Sequence, residues 1–171
     1  MKVENKLILE YSKNLTVLYI EDDNSLRETT SSIFKNYFAQ VDIAINGQEG
    51  LDKYKNYELK NDIPYDIVIS DINMPIMNGI EMATFILNQS YQQAMIFITA
   101  HNEVEYLQKS IDLGIDGFIT KPIKVEQLKK TLYKVTQAVY DRKKIALQYE
   151  IINKLNVELE IKNKELEKYL A

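Results

Sequence analysis

The sequence of 171 residues has no cysteine and no tryptophan, and its single histidine is His101. Without cysteine, the chain cannot form disulfide bonds, thiolate metal sites or a cysteine nucleophile. A single histidine also excludes the multi-histidine sites that bind zinc. Any metal ion held by this chain must therefore be coordinated by oxygen atoms.

Long apolar runs and a strong excess of one charge are also missing. No apolar run approaches the roughly 18 residues of a membrane-spanning helix, and the start at Met1 lacks the pattern of a signal peptide. The 21 basic and 25 acidic side chains leave a net charge of -4, which argues against direct binding of nucleic acid. We therefore expect a cytoplasmic protein that neither enters a membrane nor binds nucleic acid by itself.

Proline and glycine are scarce, and all of them lie between Gly47 and Pro122. The stretch after Pro122 contains no helix breaker, so it can form one long helix that extends beyond a globular body. Within the body, short apolar segments predict β-strands at 15–20, 40–45, 66–71, 95–99 and 117–119. The amphipathic segments between them predict helices at 25–38, 47–57, 79–88 and 103–113, and a further helix from about Val125.

This alternation of strands and helices predicts an α/β fold. We expect a doubly wound, five-stranded parallel sheet with helices on both faces and a long C-terminal helical extension. Continuous apolar segments such as 67–69 and 96–98 fit strands that are buried on both faces. Leu7, Ile8 and Tyr11 have helical spacing and predict a short additional helix near the N-terminus.

Polar residues stand where the predicted strands end. They are Glu21, Asp22 and Asp23 after the first strand, Asp71 in the third, Thr99 in the fourth, and Thr120 and Lys121 after the fifth. Because the carboxyl ends of parallel strands meet at one edge of a sheet, we expect these side chains to converge. Clustered carboxylates repel one another unless a cation neutralises them, and an all-oxygen site suits Mg²⁺.

Each of these residues also has a simpler explanation when it is taken alone. Asp22, Asp23 or Asn24 can cap the helix that follows, and the Asn, Pro and Gly residues after Asp71 are typical of a tight turn. Turn chemistry does not explain a carboxylate at the end of a buried strand, where a charge is costly unless it is paired. The combination of residues therefore favours a functional site.

Five motifs in chain order resemble the receiver domains of two-component response regulators, the CheY-like family. They read VLYIED at 17–22, ISDINMP at 69–75, NG at 78–79, ITA at 98–100 and GFITKP at 117–122. The resemblance covers approximately 15–138 and implies a flavodoxin-like receiver fold, with an N-terminal extension at 1–14 and a helical linker at 139–171. The family's acidic pair fits best as Glu21 and Asp22, which leaves Asp23 at the start of the helix.

The resemblance implies that Asp71 accepts a phosphoryl group from a phosphohistidine of a sensor histidine kinase. It implies that Mg²⁺ is bound directly by Asp22 and Asp71, through a water molecule by Glu21, and by the backbone carbonyl of Asn73. The cation reduces the repulsion between the attacking carboxylate and the phosphoryl group. A domain of this kind is a signalling domain that assists its own phosphorylation and dephosphorylation, and not an enzyme with a separate substrate.

The resemblance also assigns roles to residues after the fourth and fifth strands. Lys121 would pair with a phosphoryl oxygen and Thr99 would donate its hydroxyl to another. Phe118 would then turn inward and remodel the face made by the fifth strand and the helices on either side of it in sequence. Asn73 and His101 stand where relatives tune the lifetime of the phosphoryl group. Taken alone, Phe118 is an ordinary strand aromatic and His101 an ordinary exposed loop residue.

A Mg²⁺-dependent phosphohydrolase of the haloacid-dehalogenase type is the alternative function, because those enzymes also use an aspartate nucleophile at the end of a strand. That family has a second aspartate two residues after the nucleophile. Asn73 occupies the corresponding position here, which favours the receiver domain.

The C-terminal tail has a seven-residue repeat of aliphatic residues, made by Ile145, Ile152, Leu159 and Leu166. If these occupy position d of a coiled coil, position a holds Tyr149, Asn156, Asn163 and Leu170. If they occupy position a, position d holds Gln148, Leu155, Lys162 and Tyr169. A single solvated helix with one apolar stripe is the third explanation.

Buried asparagine at position a favours parallel two-stranded pairing, so we expect a parallel homodimer through the C-terminal helix. We also expect this helix to lead into an output domain beyond Ala171, such as a diguanylate cyclase or a kinase-like module.

Overall fold

The computed structural model describes residues 4–100 and 104–170. Within these ranges the strands are β1 Thr16–Ile20, β2 Gln40–Ala44, β3 Ile67–Asp71, β4 Ala94–Thr99 and β5 Gly117–Thr120. The helices are α1 Asn5–Ser12, α2 Asn24–Phe34, α3 Gly47–Asn61, α4 Gly79–Gln89, α5 Val104–Asp112 and α6 Val125–Leu170. Each predicted strand of the body is present with its ends shifted by at most one residue.

The five strands form one parallel sheet in the order β2-β1-β3-β4-β5. The chain runs outward from β1 to β2 and then returns to place β3 on the other side of β1. The strand order therefore reverses between β1 and β3, and the carboxyl ends of these two strands form the crevice where such sheets bind ligands. The predicted doubly wound fold with a long C-terminal helix is confirmed.

Helices cover both faces of the sheet. On one face, Leu18 and Ile20 of β1 and Phe97 of β4 pack in a cluster with α3 and α4. On the other face, Tyr19 of β1 packs edge-on against Phe34 of α2, with their ring centroids 5.1 Å apart. Every residue of β3 and β4 is buried, which explains why the apolar runs 67–69 and 94–98 do not alternate with polar residues.

The ends of two helices differ from the prediction. The predicted helix 25–38 ends at Phe34 because the next residues close tight turns, with the amide of Tyr37 donating to the carbonyl of Phe34 at 2.9 Å. These turns bury Tyr37 and Phe38. α3 is longer than predicted and ends at Asn61, where the following residue, Asp62, adopts a left-handed conformation with φ of 58°.

The N-terminal helix α1 is packed against the body. Ile8 is fully buried, and the Ser12 hydroxyl donates to the carbonyl of Tyr37 at 2.8 Å. The Tyr37 hydroxyl in turn donates to Oδ1 of Asn5 at 2.8 Å. These contacts attach α1 to the turn that follows α2.

The chain divides into two compact units, Met1–Gln137 and Ala138–Ala171. In the first unit, α6 buries Leu128, Leu132 and Val135. In the second unit, every described residue from Tyr140 onward is exposed. No described helix is long and apolar enough to span a membrane.

The packing of α1 predicts that Ile8→Ala destabilises the fold by about 2–5 kcal/mol, the usual cost of removing a buried aliphatic side chain. Leu7→Ala is the matched control, because Leu7 is adjacent and 36% exposed. Urea unfolding followed by circular dichroism measures both free energies of unfolding. Equal losses in the two variants would show that α1 is not packed as described.

Candidate functional site

Three carboxylates meet at the carboxyl ends of β1 and β3. Glu21 follows β1 directly and is fully buried, while Asp71 is the last residue of β3 and is 5% exposed. One carboxylate oxygen each from Glu21, Asp22 and Asp71 lies within 4.8 Å of the others. The structure therefore brings together the three acidic residues that the sequence predicted as metal ligands.

Lys121, which follows β5, reaches the same cluster. Its Nζ lies 2.9 Å from Oδ2 of Asp71 and 3.1 Å from Oε2 of Glu21. The ammonium donates hydrogen bonds to Oδ2 of Asp71 and, at 3.4 Å, to Oε1 of Glu21. Oε2 of Glu21 is buried and accepts no hydrogen bond from the described residues. This buried oxygen, together with the exposed Asp22 carboxylate, fits a site for a cation with oxygen ligands.

Burial and charge shift the pKa values of the central groups. Burial raises the pKa of Glu21, the charge of Asp71 raises it further, and Lys121 only partly opposes this. Burial also raises the pKa of Asp71 against the hydrogen bond and charge of Lys121. Burial lowers the pKa of Lys121, but Asp71 and Glu21 outweigh that effect and the net shift is upward. The site thus holds more negative charge than one ammonium can balance.

Local backbone contacts fix the position of Asp71. Its Oδ1 accepts a hydrogen bond from the amide of Ile72 at 2.8 Å, and the carbonyl of Ile72 accepts from the amide of Gly79 at 2.8 Å. A Cβ atom on Gly79 would overlap the carbonyl oxygen of Asp71. Glycine is therefore required where the start of α4 approaches the end of β3.

Three of the remaining predicted residues lie in or after the strands of the sheet, with Thr99 in β4, Asn73 after β3 and Phe118 in β5. Thr99 ends β4, is buried, and its hydroxyl donates to the carbonyl of Ala100 at 3.2 Å. Asn73 is exposed on the loop after β3. Phe118 of β5 is half-buried and packs against the cluster on the α3 and α4 face. His101 lies outside the described residues.

Two residues that the sequence did not predict as part of the site hold its loops. The guanidinium of Arg27 donates to the backbone carbonyl of Glu21 at 2.8 Å. Oε1 of Gln127 accepts a hydrogen bond from the Thr120 hydroxyl at 2.8 Å, next to Lys121. The sequence signal for Arg27 is its place after Leu26, which fits the family pattern when the acidic pair is Glu21 and Asp22. The only signal for Gln127 is its place in the first turn of α6.

Residues 17–133 match the family model described as the response regulator receiver domain. The chain belongs to this family. The receiver is 34% identical over 106 residues to the chemotaxis protein CheY of Halobacterium salinarum, covering 62% of this chain and 83% of that protein. It is 30% identical over 128 residues to a cyclic di-GMP phosphodiesterase of Thermotoga maritima, covering 75% of this chain but only 32% of that protein.

Solved structures agree with this family. The N-terminal domain of a Wolinella succinogenes protein matches with a TM-score of 0.64 and 34% identity, over 72% of this chain and 95% of that one. Vibrio cholerae chemotaxis protein CheY4 matches with a TM-score of 0.62 and 30% identity, over 71% of this chain and 98% of that one. The predicted receiver domain of a two-component system is thus confirmed. Nothing among these similarities supports the haloacid-dehalogenase alternative.

The charge excess predicts that Asp71→Asn raises the free energy of unfolding at pH 7, by about 0.5–2 kcal/mol, because it removes a buried charge from a repulsive cluster. The pKa values of Asp71 and Glu21 are raised in the folded protein. The folded state therefore takes up protons more readily than the unfolded state, and the gain should shrink as pH falls through these raised values.

Denaturant unfolding at several pH values measures this difference. Asp141→Asn is the control, because Asp141 is exposed in the tail, and we expect it to change little. A lower stability of Asp71→Asn than of the wild type at pH 7 would contradict the prediction.

Proposed function

We propose that this receiver domain takes a phosphoryl group on Asp71 from a phosphohistidine of a sensor histidine kinase. The observation that carries the proposal is the placement of Asp71, with two further carboxylates within 4.8 Å and the Lys121 ammonium 2.9 Å from its Oδ2. Glu21 also lies beside the other acids and the ammonium, but it is fully buried, whereas Asp71 is 5% exposed. A nucleophilic carboxylate next to a cation site and a fixed positive charge suits phosphoryl transfer.

In the reaction, a carboxylate oxygen of Asp71 attacks the phosphorus atom. The phosphorus–nitrogen bond breaks, and its electron pair stays with the imidazole of the kinase. Asp22, Asp71, Glu21 through a water, and the backbone carbonyl of Asn73 would hold Mg²⁺. When bound, the cation screens the repulsion between the carboxylate and the phosphoryl oxygens.

Lys121 has a partner in both states of the site. Before transfer its ammonium neutralises Asp71 and Glu21, and after transfer it pairs with a phosphoryl oxygen, where a compact point charge suffices. The Thr99 hydroxyl, which now donates to a backbone carbonyl, turns to the more strongly charged phosphoryl group.

The movement of Thr99 is the link to the surface. Phe118 is only half-buried and lies on the strand next to Thr99, so its ring can follow the hydroxyl inward. The face formed by α5, β5 and α6 then changes its shape. Asn73 and His101, which flank the site in sequence, set the access of water and hence the lifetime of the phosphoryl group.

A small phosphodonor such as acetyl phosphate tests the proposal. We expect intact-protein mass spectrometry to show one added phosphoryl group that requires Mg²⁺ and is lost in Asp71→Asn. Asp23→Asn is the control: its Oδ1 caps α2 by accepting from the amide of Leu26, a role that asparagine can keep, so labelling should persist. Equal labelling of Asp71→Asn, or equal labelling without Mg²⁺, would overturn the proposal.

We also propose that the tail pairs with a second copy of the chain as a parallel coiled coil and passes the signal to an output domain or partner. The heptad residues Ile145, Ile152, Leu159 and Leu166 are 53–64% exposed in the single chain. Full burial of each is worth about 1.5–3 kcal/mol, against an association cost of about 4–15 kcal/mol. The expected dimer is therefore weak and depends on concentration.

Two pairs of exposed aliphatic residues allow a matched test of the tail. Ile152→Ser with Leu159→Ser changes the heptad seam, whereas Leu147→Ser with Ile161→Ser changes the opposite side of the same helix. Sedimentation equilibrium should show a monomer for the seam variant and a dimer for the control at the same concentration. If both variants assemble as the wild type does, the tail is a solvated helix.

A further inference from the structure

Arg27 has an unusual set of partners for a half-buried arginine. Its Nη1 donates to the backbone carbonyl of Glu21 at 2.8 Å and to that of Asp22 at 3.2 Å. Its Nη2 donates to Oδ1 of Asn24 at 2.6 Å. All three acceptors are neutral oxygens of the loop between β1 and α2. The guanidinium thus bridges this loop by several hydrogen bonds. Among the described residues it forms no ion pair.

The loop needs such a restraint because of Asp22. Its carboxylate is exposed and, within the described part of the chain, is held by no hydrogen bond or ion pair. Glu21 and Asp23 are fixed by other contacts, since the amide of Glu21 donates to the carbonyl of Ala44 and the amide of Asp23 to Oε1 of Glu21, both at 3.1 Å. The direction of the Asp22 side chain therefore depends on its own backbone, which Arg27 contacts.

We infer that Arg27 is a positioning residue that holds the backbone of Glu21 and Asp22 so that the Asp22 carboxylate faces the other two acids and completes the cation site. The identity of the cation as Mg²⁺ rests on the proposed function. The restraint of the loop rests only on the hydrogen bonds of Arg27.

If only the charge of Arg27 mattered, its removal would raise the affinity for Mg²⁺, whereas loss of a positioning contact would lower it. A fixed positive charge beside a cation site repels the incoming ion and lowers its affinity. If Arg27 acted only through its charge, its removal would strengthen Mg²⁺ binding, and salt would weaken the difference. If Arg27 acts through its hydrogen bonds to the loop, its replacement weakens Mg²⁺ binding even when the positive charge is kept. The two roles therefore differ in the sign of the change.

Two variants of the full chain separate these roles in a calorimetric titration with Mg²⁺. Arg27→Lys keeps the positive charge and loses the bridging hydrogen bonds, and Arg27→Gln loses both. We expect Arg27→Lys to lower the apparent affinity for Mg²⁺ about tenfold with little dependence on salt, as the loss of an outer contact to a metal ligand commonly does. Arg27→Gln should lower it less, because the lost charge offsets part of the lost contact. Arg142→Gln, in the exposed tail, should bind Mg²⁺ as the wild type does. Unchanged affinity in Arg27→Lys, or tighter binding in Arg27→Gln, would overturn the inference.

A second measurement is independent of the metal. In the Mg²⁺-free protein, ¹⁵N relaxation should show rigid amides at Asp22 and Asp23 in the wild type and order parameters that fall towards about 0.6 in Arg27→Lys. The amide of Ile72, which is bonded to Asp71, should stay rigid in both. If the wild type bound no Mg²⁺, the proposed function would fail while this measurement still decided the role of Arg27. Unchanged order at Asp22 would show that Arg27 does not position the loop.

Discussion

Repulsion between carboxylates that cannot turn away from one another is the constraint on which the site depends. Parallel pairing places Ile20 of β1 opposite Ser70 of β3, so the residues that follow them, Glu21 and Asp71, emerge side by side. Both are buried and cannot be fully solvated by water. Lys121 is the permanent partner that makes this arrangement tolerable. The need for additional positive charge is therefore a property of the fold and not of one residue.

The rest of the domain supplies the stability that the site lacks. Both faces of β3 are covered by helices and every residue of the strand is buried, so the strand that carries Asp71 cannot shift to relieve the repulsion. The glycine at 79 lets the start of α4 approach the same strand end. Polar contacts from Arg27 and Gln127 fix the two loops that carry the other charged groups. A rigid scaffold thus keeps an unfavourable cluster in place, as is common at functional sites.

Much of this structure follows from local sequence patterns. The strands could be predicted because their apolar runs are bounded by polar strand ends, and the convergence of Glu21, Asp71 and Lys121 follows from parallel topology. The end of α2 could not, because Tyr37 and Phe38 continue its apolar pattern although the backbone has already turned. The contacts of Arg27 were equally hidden. Its partners are mainly backbone carbonyls, which every residue has, so side-chain identities carry no information about them.

The combination of three acids with one lysine has a consequence for the valence of the ion that the site can hold. When fully ionised, Glu21, Asp22, Asp71 and Lys121 together carry two units of negative charge. One divalent cation brings the cluster to neutrality, whereas a monovalent ion leaves a negative remainder and a trivalent ion a positive one. The net charge of the cluster therefore depends on Lys121 as well as on the three carboxylates, whereas the oxygen ligands come from the carboxylates alone. A substitution of Lys121 would thus change the net charge of the cluster while leaving its oxygen atoms in place.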